Sequence, residues 1–141
     1  MKNTIRLSAV LLATTVLPVA AQSDVRMGER LYQENCASCH GANLEGQLDW
    51  RSRLPNGRLP APPHDASGHT WHHPDRVLFD IVKRGPAAIV GNGYESDMPG
   101  YEDVLTDDEI TAILDYIKST WSDRIRASQE NRSVADEQAQ P

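Results

Sequence analysis

Cysteine is scarce in this chain: Cys36 and Cys39 are the only two. A structural zinc site takes four Cys or His ligands, and apart from His40 the nearest histidine lies 24 residues further on. A local zinc cluster is therefore a poor fit. Large aromatics are few as well, with one Phe, four Tyr and three Trp. A domain this small buries a limited share of its surface, and so few large side chains leave its interior short of filling. Basic charge is thin. Residues 22–141 keep all 20 acidic but 12 of the 14 basic side chains, a formal charge of −8. Phosphate repulsion then argues against a nucleic-acid partner. A long apolar run is missing too. Residues 7–21 include Ser8, Thr14, Thr15 and Pro18. As a helix they would reach about 22 Å at ~1.5 Å per residue, short of the ~30 Å hydrocarbon core.

That run reads instead as the apolar part of a secretory signal peptide, residues 1–21. Lys2 and Arg6 form its basic start, and Val19-Ala20-Ala21 offers small residues for cleavage after Ala21. An uncleaved tether is the alternative. Lys2 and Arg6 are not a twin-arginine pair, so general secretion to the periplasm or beyond is expected. Residues 22–122 then form one domain, and residues 123–141 a polar tail with no packing stripe beyond Ile125, expected to be disordered.

Ser23 or Asp24 caps a first helix in this reading, which runs through Val25, Gly28, Leu31 and Tyr32 into the cysteines. Residues 41–73 hold four prolines and four glycines and no sustained periodicity. They read as a long ordered loop, which in so small a domain needs a reason. A second helix starts with Pro74 at its first position, carries Val77, Leu78, Ile81 and Val82 on one stripe, and stops at Gly85-Pro86. Residues 85–105 read as a loop turning at Gly91-Asn92-Gly93. The last helix has the clearest signal. Thr106-Asp107-Asp108-Glu109 is a capping box, and Ile110, Ile113, Leu114, Ile117 and Trp121 share one face. Its expected partner is the Gly28/Tyr32 face of the first helix.

The two cysteines stand in Cys36-Ala37-Ser38-Cys39-His40, the C-x-x-C-H spacing that attaches a c-type haem. Both thiols reach the vinyl groups on one porphyrin edge, and His40 falls under the iron. A thioredoxin-type pair needs a βαβ setting that is absent here, and a plain disulfide leaves His40 unexplained. The haem would also supply the missing apolar bulk, so the chain without it is expected to be largely unfolded.

Iron held by His takes Met on its other side in many cytochromes, which raises the reduction potential. Met1 leaves with the signal, and Met27 lies only nine residues before Cys36. Met98 stands in Ser96-Asp97-Met98-Pro99-Gly100-Tyr101, where Pro99 restricts it to extended backbone. It is the expected sixth ligand. The rivals are His64, His69, His72 and His73, either as a second imidazole ligand or as a surface copper or zinc site. In the plainer reading they bond loop carbonyls or haem propionates, with His73 capping the second helix.

With these motifs in this order, residues 24–121 resemble the class I c-type cytochromes, small monohaem electron carriers. The resemblance implies an all-α fold of three to four helices around one haem c, joined to Cys36 and Cys39 by two thioether bonds and ligated by His40 and Met98. It implies a crossing of first and last helices at Gly28, Tyr32 and Tyr116. It also implies a proline carbonyl, Pro62 or Pro63, that orients the haem histidine. The long loop with Trp50, Arg51, Arg53, Arg58 and the histidines departs from the compact pattern. Its arginines or Trp71 are candidates for propionate contact.

The expected activity is one-electron transfer between redox proteins such as a dehydrogenase and a terminal oxidase, by a monomer with no substrate site and no membrane span. Weak, fast docking suits that task. Residues 95–109 carry seven acids and no Lys or Arg, which suggests an acidic docking face. The alternatives are a haem that opens to peroxide, NO or CO, a copper-handling protein built on residues 64–73, and a fixed subunit of a respiratory complex.

Overall fold

The computed structural model describes residues 19–140, with side chains from residue 24 onward. Residues 1–18 of the expected signal peptide lie outside the described residues. Among the latter every regular element is helical: α1 (Val19–Asn35), α2 (Ala37–His40), a 3-10 turn (Thr70–His72), α3 (Asp75–Arg84), α4 (Pro86–Val90), α5 (Asp107–Ser119) and α6 (Asp123–Ala139). No helix among them is long and apolar enough to cross a membrane.

The core is the crossing of α1 and α5. Tyr32, Ile110 and Ile113 are its largest fully buried side chains, joined by Leu31, Leu114, Ile117 and Trp121. Gly28 makes the crossing close. A Cβ there would lie 1.9 Å from the carbonyl oxygen of Ala112, so only hydrogen fits. One turn on, the rings of Tyr32 and Tyr116 meet with centroids 5.5 Å apart. The expected capping box is formed: Thr106 Oγ1 accepts from Glu109 N, and the Glu109 carboxylate accepts from Thr106 N at 2.8 Å. An α5 of thirteen residues would be marginal alone in water; its apolar face against α1 and Leu105 holds it in place.

Four expectations need correction. The first helix begins at Val19, so neither Ser23 nor Asp24 caps it, because the chain is already helical before them. Pro74 is the cap rather than the first helical residue of α3, with ψ of 158°, as its fixed φ suits either position. Residues 86–90 form α4 inside the expected loop, with Pro86 at a first-turn position where no N–H is missed. The tail expected to be disordered is the seventeen-residue helix α6.

The last correction has a polar cause. α6 packs through Gln129 and Ser133, both buried, against the start of α3. Ser133 Oγ accepts from Asp75 N at 3.0 Å, a free N–H at a helix start that needs a partner. Gln129 Nε2 donates to Asp75 Oδ1 at 2.7 Å and to the His73 carbonyl at 3.2 Å. Arg76 meets Asp136 through two nitrogens at 2.8 and 2.9 Å. With α2, α4 and α6 the α-helices among the described residues number six, because two are single turns and one docks by hydrogen bonds that apolar periodicity does not report.

Candidate functional site

Cys36 sits at the break between α1 and α2, and its carbonyl accepts from both Cys39 N (3.1 Å) and His40 N (2.9 Å). One tight turn thus presents two free thiols and an imidazole. Cys36 is half-buried and Cys39 exposed. Burial, and then the neighbouring Cys39, push the Cys36 thiol up to about 11, so it stays protonated at neutral pH. Tyr32 braces the turn from within the helix crossing, its hydroxyl donating to the Gly41 carbonyl at 2.8 Å.

His40 is 5% exposed. Its Nδ1 lies 2.8 Å from the Pro62 carbonyl oxygen, which fixes the proton on Nδ1 and leaves the Nε2 lone pair free for a metal. Burial lowers its pKa, and the bond to Pro62 opposes that shift. Of the two prolines expected to orient this ring, Pro62 is the one that does. The segment is gripped from two sides. A Cβ on Gly46 would lie 2.4 Å from Pro63 N, and one on Gly68 would lie 1.9 Å from Pro63 O. Gly46 N also donates to the His40 carbonyl at 2.7 Å. Much of the proline- and glycine-rich loop is thus spent on holding one carbonyl against one imidazole.

Met98 is half-buried on the loop before α5, its N–H donating to Ser96 Oγ at 3.1 Å. Just beyond it the chain is pinned. Gly85 and Gly100 let the loop run close against the end of α3, and Tyr101 N donates to the carbonyls of Val82 and Lys83 at 3.0 Å. The Tyr101 hydroxyl reaches across to the Asn35 carbonyl at 2.8 Å, one residue before Cys36. The Met98 loop and the cysteine turn are therefore tied to each other directly. Spacing alone did not single out Tyr101 for this bond, because its acceptor lies 66 residues away.

The His69 and His73 rings meet edge-on with centroids 5.4 Å apart, while the other histidines face other partners. His64 is bound to Thr70 Oγ1 at 2.8 Å, His69 stacks on Trp50, and His72 lies against Trp71. No group of three or more His, Cys, Asp or Glu able to hold a metal occurs among the described residues. His73 lies before the Pro74 cap and does not cap α3 by its side chain. The arginines expected near propionates have other tasks. Arg58 pairs with Asp97 and Glu95, Arg53 donates to the Gly57 carbonyl, and Arg51 lies over the Trp50 ring. Trp71 Nε1 and Arg58 Nε are both buried with no hydrogen-bond partner. A buried N–H without an acceptor is costly, and a haem propionate is an acceptor of the right kind. The donor set fits haem c in the same way, with two thiols, a buried imidazole whose free nitrogen is Nε2, and a thioether.

The cytochrome c family profile matches residues 25–121. Cytochrome c-555 of Prosthecochloris aestuarii is 31% identical over 70 residues, covering 45% of this chain and 71% of that protein. No solved structure matches the chain significantly. The match ends at the last residue of the α1/α5 core, so α6 lies beyond it. With the C-x-x-C-H turn, the all-helical fold and the profile in agreement, the chain belongs to the cytochrome c family, as a class I c-type cytochrome that transfers electrons through covalently attached haem c.

Proposed function

We propose that the chain is an exported monohaem electron carrier in which Cys36 and Cys39 form the two thioether bonds and His40 Nε2 and the Met98 sulfur fill the axial positions. The haem supplies a one-electron Fe(III)/Fe(II) couple when bound. The observation that carries the reading is His40: directly after the cysteine turn, buried, with Nδ1 committed to the Pro62 carbonyl at 2.8 Å. Pro62 keeps the ring in one tautomer and raises the basicity of Nε2. Tyr101 ties the Met98 loop to the same turn, which supports a place for both ligands on one braced frame. Two strong protein ligands leave no room for a substrate, which favours a carrier over an enzyme.

The partners in this reading are redox proteins in the periplasm or beyond. The acidic stretch contributes less to docking than its sequence suggests. Glu95 and Asp97 pair with Arg58, Asp107 pairs with Lys83, and Glu109 is spent in the α5 cap. Glu102, Asp103 and Asp108 are left exposed. Electron-transfer rates with a basic partner should fall as salt rises, since exposed charges act over about 8 Å at physiological ionic strength. Rates flat in salt would remove the acidic face from the account.

The attachment is tested on protein expressed with an intact cytochrome maturation pathway. A pyridine haemochrome of the two-thioether type, lost stepwise in Cys36→Ser and Cys39→Ser, is the expected result. A weak far-red band in the oxidised spectrum, absent in Met98→Ala, reports sulfur ligation. Colourless protein, or a far-red band that survives Met98→Ala, would overturn the assignment.

A further inference from the structure

His64 is a half-buried ring for which the carrier role, as described, has no task. It stacks on His40, with ring centroids 4.1 Å apart and planes inclined by 22°. Its own orientation is fixed from several sides. Thr70 Oγ1 donates to the Pro63 carbonyl at 3.4 Å, which leaves that oxygen free to accept from His64 Nδ1 at 2.8 Å. The His64 N–H donates to the Leu44 carbonyl at 2.8 Å. Its carbonyl accepts from Trp121 Nε1 at 2.7 Å, which links it to the end of the α5 segment. The Tyr32 ring meets it edge-on at 6.2 Å.

His40, too, has a single ring hydrogen bond. Its bond to Pro62 fixes one point on the ring, Nδ1, and says little about the tilt of the plane. A flat neighbour in contact with the ring face does constrain tilt. An aliphatic side chain in the same place would fill space without defining a plane. The plane of an axial imidazole matters electronically, because it sets which iron orbital shares the unpaired spin in Fe(III). That distribution is read out on the methyl groups of the porphyrin rim.

We propose that His64 is a positioning residue that sets the plane of the iron-binding His40 imidazole by ring-to-ring contact, with Thr70 as its anchor. The inference rests on the proposed ligation of iron by His40. It concerns the angle of that ligand about its bond and not the bond's existence. Thr70 belongs to the device because it is buried and connects His64 to the same proline segment that bonds His40. One short piece of chain, residues 62–70, thereby fixes both the direction and the tilt of the ligand ring.

The test is the proton NMR spectrum of the oxidised, haem-loaded full chain, compared among wild type, His64→Leu, His64→Phe and Thr70→Val. The expected result is a changed order or spread of the four haem-methyl resonances in His64→Leu and in Thr70→Val. His64→Phe, flat but unanchored, should move them less than His64→Leu does. Methyl resonances at wild-type positions in both His64→Leu and Thr70→Val would overturn the proposal. If His64→Leu yields no haem-loaded protein, Thr70→Val decides by the same criterion. A wild-type protein whose iron is not low-spin would strike the ligand assignment itself. Low-spin wild type with unmoved methyls in the variants strikes only the role of His64.

Discussion

Single residues in this molecule act by holding one atom of another residue in place. Tyr101 is the clearest case, since one hydroxyl joins the loop of the proposed methionine ligand to the carbonyl before Cys36. Replacing it with Phe removes that bond and leaves the Asn35 carbonyl without its donor. We expect a loss of about 1 kcal/mol in denaturant unfolding, with the far-red sulfur band weakened by the freer loop. Gly68 is the second case. Gly68→Ala drives a Cβ toward the Pro63 carbonyl, an overpacking of about 1–3 kcal/mol. Its signature should be a displaced Pro62 carbonyl and an altered haem spectrum; a variant with wild-type stability and spectrum would contradict the grip assigned to it. Cys36, Cys39, His40 and Met98 were legible because each carries uncommon chemistry at a telling spacing. The tasks of Tyr101 and His64 were not, because the Tyr101 bond reaches across 66 residues and the stack of His64 on His40 is made only when the intervening loop folds back.

At the level of elements, α1 and α5 follow from local rules and α6 does not. The α5 capping box is a sequence signature with a fixed geometry, and Thr106→Ala should cost about 1 kcal/mol, measurable by thermal or denaturant unfolding. The crossing of α1 and α5 was legible too, because a buried stripe on α5 needs a partner and Gly28 beside Tyr32 offers the closest approach. α6 has no such stripe. What it buries is Gln129 and Ser133, and a polar residue in a helix ordinarily points to water. Its docking depends on the free N–H groups at the start of α3 and on Asp75, which no periodicity encodes. Gln129→Leu is the discriminating change. It adds hydrophobicity, yet it takes the Gln129 donor from the His73 carbonyl and leaves Asp75 Oδ1 to Lys118, so α6 should lose hydrogen-exchange protection and the protein about 1–3 kcal/mol. Unchanged protection in that helix would show that the polar contacts do not hold it.

For the whole molecule, the long loop, the cysteine turn and the C-terminal helix form one support for a single redox centre, and acid should loosen part of it. His69 is exposed and His73 half-buried as whole residues, and both rings are partly desolvated. Burial, and then the charges of neighbouring groups, lower both. For His69 these neighbours are His73, His72 and Arg51; for His73 they are His72 and Arg132. Their folded-state values lie below the usual 6.5, so the unfolded chain binds more protons in mild acid. The stability they contribute is complete above that value and is lost as pH falls below it. The melting temperature should therefore decline from about pH 6.5 downward, and less steeply in a His69→Gln, His73→Gln double variant. The central claim is that both axial positions are filled by this chain, so that electrons pass and ligands do not. Carbon monoxide added to the reduced protein tests it most directly. The spectrum of wild type should stay unchanged, while that of Met98→Ala should shift to a CO-bound form. Prompt CO binding by wild type would contradict the account.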